Sequence, residues 1–291
     1  MADYYRVTEL RKNVYRITSA ESVFMELFVG QNSALLFDTG YGFADLRETV
    51  REITDLPLII VNSHGHLDHS CGNFRFAEDK YVHPLDMQLL QQHNTPQMRR
   101  TIVEDAKHTF DHETGNIVNI LPASFDEEAY VNSSCGNLRP LEAGYVFDLG
   151  GMHLTVYHMP GHTKGSICLL YAEEKLFYAG DAMNPFVWLF TPEAADLSTY
   201  IATLEKARAL DFEQLVFAHG PFPVPKDVLD TFLDAARNVN YESGLPFDGH
   251  LLAHGANARI CIRPGFTMDD FMKPGFASVV INPEHMKGEG R

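Results

Sequence analysis

The chain has 291 residues, 45% of them hydrophobic and 21% charged, enough apolar matter for one large or two modest domains with a real core. Its 23 basic against 39 acidic residues give a formal charge of −16, which argues against a nucleic-acid partner held by phosphate neutralisation and means that an anionic substrate needs a local positive centre. No run approaches the roughly 18 to 20 apolar residues of a membrane span, and the opening residues carry neither a cationic segment nor an apolar export stretch, so a cytoplasmic chain with no membrane partner is expected.

In chain order, NVYRIT, VFMELFVG and SALLFDTG are rich in β-branched and aromatic residues with turn residues between them, which predicts an antiparallel meander. FADLRETVREI then sets Leu46, Val50 and Ile53 at helical spacing, and PLIIVNSH reads as a buried strand. Residues 85–144 are polar and helix-prone and read as a helical insertion or lid. Sheet pattern returns in YVFDLGGMHLTVYHM and SICLLYAEEKLFYAGD, two hairpins turning at Gly150-Gly151 and Glu173-Glu174, and in EQLVFAHG; helices are predicted at LSTYIATLEKARAL and DVLDTFLDAARNV. ALLFDTG and KLFYAGD each end in a small-residue turn bearing an aspartate, which suggests a degenerate internal duplication. The order of elements predicts a layered α+β or α/β domain over residues 1–245, with 246–291 a Gly/Pro-punctuated appendage holding two short strands, ARICIRP and ASVVINP.

Chemistry concentrates in His64-Gly65-His66-Leu67-Asp68-His69, directly after LPLIIV. A strand throws His64 and His66 to one side, and the turn that follows lets Asp68 and His69 face a second centre. Imidazoles and a carboxylate crowded together desolvate one another unless a cation binds them. Imidazole and carboxylate without thiolate suit zinc, manganese or iron, and few protein ligands per ion leave places for water and substrate. The four cysteines, Cys71, Cys135, Cys168 and Cys261, show no paired short spacing, so neither a disulfide framework nor a Cys-only zinc site is expected.

HGHLDH resembles the H-x-H-x-D-H signature of the metallo-β-lactamase-fold hydrolases, and further marks of that family follow in order: His162 in PGHTKGS, Asp181 ending KLFYAGD and His219 ending LVFAHG. The resemblance implies a four-layer αββα sandwich of class α+β, two mixed sheets face to face with helices outside. It also implies two divalent ions, zinc first and iron or manganese otherwise. His64, His66 and His162 would hold one ion, Asp68, His69 and His219 the other, and Asp181 would bridge them. Two ions bring +4 and the two aspartates −2, a positive centre inside an acidic protein. The implied reaction is hydrolysis by a metal-activated hydroxide, with Asp68 the proton handler.

Several residues have two readings. Asp38 is assigned to the Thr39-Gly40 turn and to hydrogen bonding of the histidine-rich loop rather than to catalysis. Thr163 and Ser166 are expected to satisfy backbone groups around His162, with Lys164 solvated. Phe186 and Trp188, on a segment that looks too loop-like for a core strand, read either as an aromatic wall binding an apolar part of the substrate or as packing against the insertion. His250 and His254 have helical metal-pair spacing but no accompanying glutamate and are read as solvated or structural; His112 in the insertion is the remaining isolated histidine of interest. Cys71 is expected to pack behind the loop.

An aspartate at position 181 departs from the cysteine found in familiar antibiotic-destroying members, so β-lactams are not the expected substrate. Hydroxyacylglutathione hydrolases resemble the ligand pattern better, including Gly72-Asn73, but their basic C-terminal domain is not recognisable. The expected activity is hydrolysis of an ester, thioester or lactone of a small molecule; the alternatives are a phosphodiesterase, should basic residues of the insertion line the mouth, and a non-haem iron redox enzyme. The only other partner allowed for is a second copy of the chain, in a homodimer.

Overall fold

The computed structural model describes residues 4–111, 115–247, 256–271 and 273–286. His112, His250 and His254 lie outside the described residues. Two compact units divide the chain, Met1–Leu141 with Phe147–His153, and Glu142–Val146 with Leu154–Arg291.

The first unit begins with the meander β1 (Tyr5–Arg11), β2 (Val14–Ser19), β3 (Phe24–Val29) and β4 (Ala34–Phe37), each strand antiparallel to the one before. The sequence did not show β1, because most of its side chains are exposed at a sheet edge and no apolar alternation marks it. Helix α1 (Leu46–Ile53) starts where the Asp45 side chain accepts from the Glu48 amide at 3.2 Å, and it buries Leu46 and Val50. It leads to β5 (Leu58–Val61), which lies parallel to β4 with Phe37 opposite Val61. Such four-residue apolar strands are what a parallel pair covered on both faces requires.

Next come α2 (Leu67–Ser70), β6 (Lys80–Val82), α3 (Met87–His93), α4 (Pro96–Lys107), the hairpin β7 (Thr109–Asp111) with β8 (Asn116–Val118), α5 (Glu127–Val131) and β9 (Leu138–Pro140). The stretch 85–144, read as a helical insertion, thus also contains a hairpin and the last strand of the seven-stranded sheet β1-β2-β3-β4-β5-β6-β9. Its strands have three residues each, too short for a period of two to show in the sequence. Ile17, Met25, Leu36, Val50 and Ile60 form one core of this unit, and Phe43, Leu67, Ile102, Val103 and Tyr130 another.

From residue 142 onward the chain builds two further sheets. Their strands are β10 (Val146–Asp148), β11 (His153–His158), β12 (Ile167–Tyr171), β13 (Leu176–Tyr178), β14 (Phe186–Leu189), β15 (Gln214–Val216), β16 (Val224–Pro225), β17 (Leu245–Pro246), β18 (Arg259–Ile262) and β19 (Ser278–Ile281). One sheet runs β10-β11-β12-β13-β15-β16, the other β14-β19-β18-β17. The turn at Gly150-Gly151 has φ of 87° and 76°, left-handed backbone that only glycine adopts without strain. Helices α6 (Leu197–Ala209) and α7 (Val228–Arg237) pack Tyr200, Leu204, Leu229 and Phe232 into a core with Met159, Phe177, Leu215 and Val279. Asp196 caps α6 by accepting from the Thr199 amide at 2.7 Å.

The segment 186–189 is a strand, correcting the loop reading: β14 pairs in parallel with β19, Phe186 opposite Ser278 through Leu189 opposite Ile281. Its partner is far along the chain, so no local turn signal announces the pairing. The same sheet takes up both strand candidates of the tail, and Cys261, Val279 and Ile281 join the core. The β12–β13 antiparallel pair is followed by α6 and a parallel β15, the order that β3, β4, α1 and β5 also follow. Among the described residues no helix is long and apolar enough to cross a membrane.

Candidate metal centre

The site residues stand just beyond the carboxyl ends of parallel strand pairs. Beyond Phe37 and Val61, which are paired, come Asp38 and the sequence Asn62-Ser63-His64. Beyond Tyr178 and Val216, also paired, Asp181 and His219 each stand three residues further on. Parallel neighbours deliver their following loops to the same edge, which is how residues far apart in sequence become adjacent.

Asp38 organises the histidine loop. It is buried, with φ of 68°, and its carboxylate accepts from the Ser63 amide at 2.7 Å, from the Ser63 hydroxyl at 2.7 Å and from His69 Nδ1 at 2.8 Å. The hydroxyl of Ser63 is 2.9 Å from His64 Nδ1. A carboxylate only accepts, so the hydroxyl proton points to Asp38 and the Ser63 oxygen accepts from His64 Nδ1. One carboxylate therefore fixes the same tautomer in two histidines, proton on Nδ1 and lone pair on Nε2. The bends are held by Thr39, whose amide and hydroxyl donate to the His69 carbonyl at 2.9 and 3.2 Å, and by Asn62 Nδ2, which donates to it at 2.9 Å. Asn73 Nδ2 donates to Asn62 Oδ1 at 2.9 Å, and Asn73 Oδ1 shares the Thr39 hydroxyl proton with the His69 carbonyl, at 3.0 Å. Gly72 is required here because a Cβ would stand 2.1 Å from the Thr39 carbonyl oxygen.

His162 is set by its own loop. Its Nδ1 is 3.0 Å from the Trp188 carbonyl oxygen, which again puts the proton on Nδ1 and frees Nε2. The amide of Thr163 donates to Ser166 Oγ at 3.1 Å, so Ser166 serves the loop backbone, as expected, and the Thr163 hydroxyl lies 2.8 Å from the Ser166 hydroxyl; Lys164 is exposed. His219 Nε2 lies 3.1 Å from Asp181 Oδ2 and His162 Nε2 lies 3.8 Å from the same oxygen.

The seven side chains named from the motifs fall into two groups: His64, His66 and His162, and Asp68, His69, Asp181 and His219, with the ligand atoms of each group within 4.8 Å of one another. Three imidazoles in one group, and two imidazoles with two carboxylates in the other, suit divalent ions of the zinc, iron and manganese kind, and the fixed tautomers offer lone pairs rather than protons. The donor set thus fits a dinuclear metal site. His64, His66, His69, His162 and Asp181 are buried, whereas the Asp68 side chain is 18% exposed and that of His219 39% exposed. Solvent therefore reaches the group that contains Asp68.

Cys71 is fully buried, its thiol is pushed up to about 11 by burial and it donates to the His93 carbonyl, so it packs behind the loop and belongs to neither group. Phe186 and Trp188 are half-buried on β14, with ring centroids 5.9 and 5.6 Å from Phe247. Sequence reasoning missed the Trp188 carbonyl as the acceptor for His162, together with Asp86 and His93. Asp86 accepts from the Gly65 amide at 2.9 Å, and the His93 ring stacks on that of His66 at 5.2 Å. None of these carries a motif; only the Ser63 hydroxyl beside His64 could have been suspected from its position.

Residues 20–219 match the model of the metallo-β-lactamase superfamily, and the chain, with these ligand groups beyond its strand ends, belongs to that superfamily. Among proteins of assigned activity it is similar to the human acyl-coenzyme A thioesterase MBLAC2, 27% identical over 189 residues, which are 61% of this chain and 64% of that protein. It is also similar to the atrochrysone carboxyl ACP thioesterase AgnL7 of Paecilomyces divaricatus, 34% identical over 94 residues, 32% of this chain and 29% of that one. The chain thus spans less than two thirds of the length of these relatives, which are acyl thioesterases and not specifically hydroxyacylglutathione hydrolases. Among solved structures, a metallo-beta-lactamase from Pontibacter korlensis covers 80% of this chain and 99% of its own with a TM-score of 0.55 at 18% identity, a likeness of fold.

Proposed function

We propose that the chain is a metal-dependent hydrolase acting on thioesters, releasing a carboxylic acid and a small carrier thiol. The observation that carries hydrolysis is the pair of ligand groups built from nitrogen and oxygen donors alone. The thioester is favoured over other esters because both named relatives are acyl thioesterases.

When bound, a pair of divalent ions supplies a Lewis acid for the carbonyl oxygen and lowers the pKa of water toward neutrality. The chain's own part is to hold and orient. Asp38 and the Trp188 carbonyl keep His64, His69 and His162 in the tautomer that leaves Nε2 unprotonated. Asp68 Oδ2 is 3.3 Å from His69 Nε2 and open to solvent, which supports a role in accepting a proton from the attacking water and returning it to the leaving sulfur. A carbon–oxygen bond forms and the carbon–sulfur bond breaks. A thiol of pKa near 8.5 leaves readily as thiolate, so one modest acid suffices. Phe186 and Trp188 would face an apolar acyl portion.

A phosphate ester finds less support. Of the four Lys and Arg residues in 85–144, Arg99 is buried between the Phe74 and Tyr130 rings, Lys107 pairs with Glu104 and Glu127, Arg139 pairs with Asp79, and Arg100 is exposed on α4.

The test is elemental analysis of purified protein followed by acyl thioesters, lactones and phosphodiesters assayed side by side before and after chelation. Thiol release that stops on chelation and returns with zinc, iron or manganese is expected. Thioester cleavage untouched by complete metal removal, or phosphodiester cleavage alone, would refute the proposal.

A further inference from the structure

The segment from Leu85 to Arg99 lies within the stretch 85–144 that the sequence presents as an insertion or lid, yet several of its polar contacts go to the back of the histidine loop. Asp86 Oδ2 accepts from the Gly65 amide at 2.9 Å, and Gly65 sits so close that an added Cβ would stand 2.8 Å from the Leu90 amide nitrogen. Asn94 Nδ2 donates to Ser70 Oγ at 3.0 Å, and Ser70 Oγ donates to the His66 carbonyl at 2.8 Å. Arg99 Nη2 donates to Asn94 Oδ1 at 2.7 Å and to the Cys71 carbonyl at 3.0 Å. The His93 ring lies over the His66 ring at 5.2 Å with only 14° between their planes. Asp86, His93, Asn94 and Arg99 are all buried.

We infer that residues 85–99 are a clamp for the histidine loop and that His93 is a positioning residue for His66. Two bonds fix the backbone on either side of His66, while the stacked ring of His93, with the edge-on His64 ring at 4.7 Å, limits rotation of its imidazole. Parallel rings at this separation attract, and a ligating imidazole held in place loses less entropy when a cation binds. The inference rests on the reading of His66 as a metal ligand. It predicts that His93 tunes the affinity of one metal site from behind, without touching metal or substrate.

The experiment compares His93→Leu, which removes the flat ring at similar volume, with His93→Phe, which keeps it. Chain stripped of metal is titrated with zinc against a chromophoric chelator, its cobalt(II) absorption spectrum is recorded, and the melting of the metal-free variants is followed. The expected result for His93→Leu is that one of two equivalents weakens roughly ten- to hundredfold. The cobalt spectrum should change while the metal-free melting stays close to the parent's. With His93→Phe both affinity and spectrum should return toward the parent. Two equivalents of parental affinity and an unchanged spectrum in His93→Leu would overturn the clamp alone, because no substrate enters the assay. A parent chain that binds no metal would overturn the clamp and the metal reading together.

Discussion

Replacing Asp38 by asparagine tests how far one carboxylate governs both ligand groups. Asparagine keeps the shape and an oxygen for the Ser63 amide, now 2.7 Å from Oδ1. The other oxygen, which accepts from the Ser63 hydroxyl at 2.7 Å and from His69 Nδ1 at 2.8 Å, becomes a donor. His69 must then present a lone pair at Nδ1 and carry its proton on Nε2. Ser63 must turn to accept from the new amide, and its proton then points at His64 Nδ1, driving the His64 proton to Nε2 as well. Both histidines lose their ligating lone pair, one in each group. Losing a buried charge-assisted hydrogen bond costs about 1.5 to 3 kcal/mol, which for a chain of this size lowers the metal-free melting temperature by roughly 2 to 5 °C. Removing such a supporting partner weakens metal binding roughly ten- to hundredfold. Competition titration with a chromophoric chelator should therefore show both equivalents weakened together in Asp38→Asn. Two sites of parental affinity in a folded Asp38→Asn protein would show the tautomer argument to be wrong.

Asp68→Asn should lower turnover on a thioester by about 10²- to 10⁴-fold with a much smaller change in KM; an unaltered rate with full metal content would remove Asp68 from the mechanism. Burial raises the Glu21 carboxyl from 4.5 to about 7, so the folded chain holds a proton that the unfolded chain releases, and stability present below about pH 4.5 is lost as pH rises through 7. Glu21→Gln should flatten that part of the stability curve in urea titrations between pH 4.5 and 7.5, and an unchanged slope would count against the shift. Gly72→Ala forces a Cβ to within 2.1 Å of the Thr39 carbonyl oxygen, backbone against backbone, and should cost more than about 4 kcal/mol; melting at the parental temperature would contradict it.

Local pattern was enough for the meander, for α1, α6 and α7, and for the glycine turn at 150–151, because period-two and period-3.6 burial leave their mark on consecutive residues. The candidate ligand groups were legible for a different reason: donors that follow a strand end appear as short dense motifs, and HGHLDH, PGHTKGS, FYAGD and FAHG each carry their residues within a few positions. Hidden from the sequence were β1, with its exposed edge-strand side chains, β14, with its distant partner strand, and the three-residue strands between 109 and 140.

By itself, then, the amino-acid order determined which donors exist and which strand ends carry them. Only the tertiary structure decided that Ser63 passes the influence of Asp38 to His64, that the carbonyl of Trp188 orients His162, and that His93 stacks on His66. Those contacts join residues that no periodicity relates; they arise when parallel strands bring their loops to one edge, and the hydrogen-bonding capacity of a serine, a carbonyl or an imidazole acquires its direction only there.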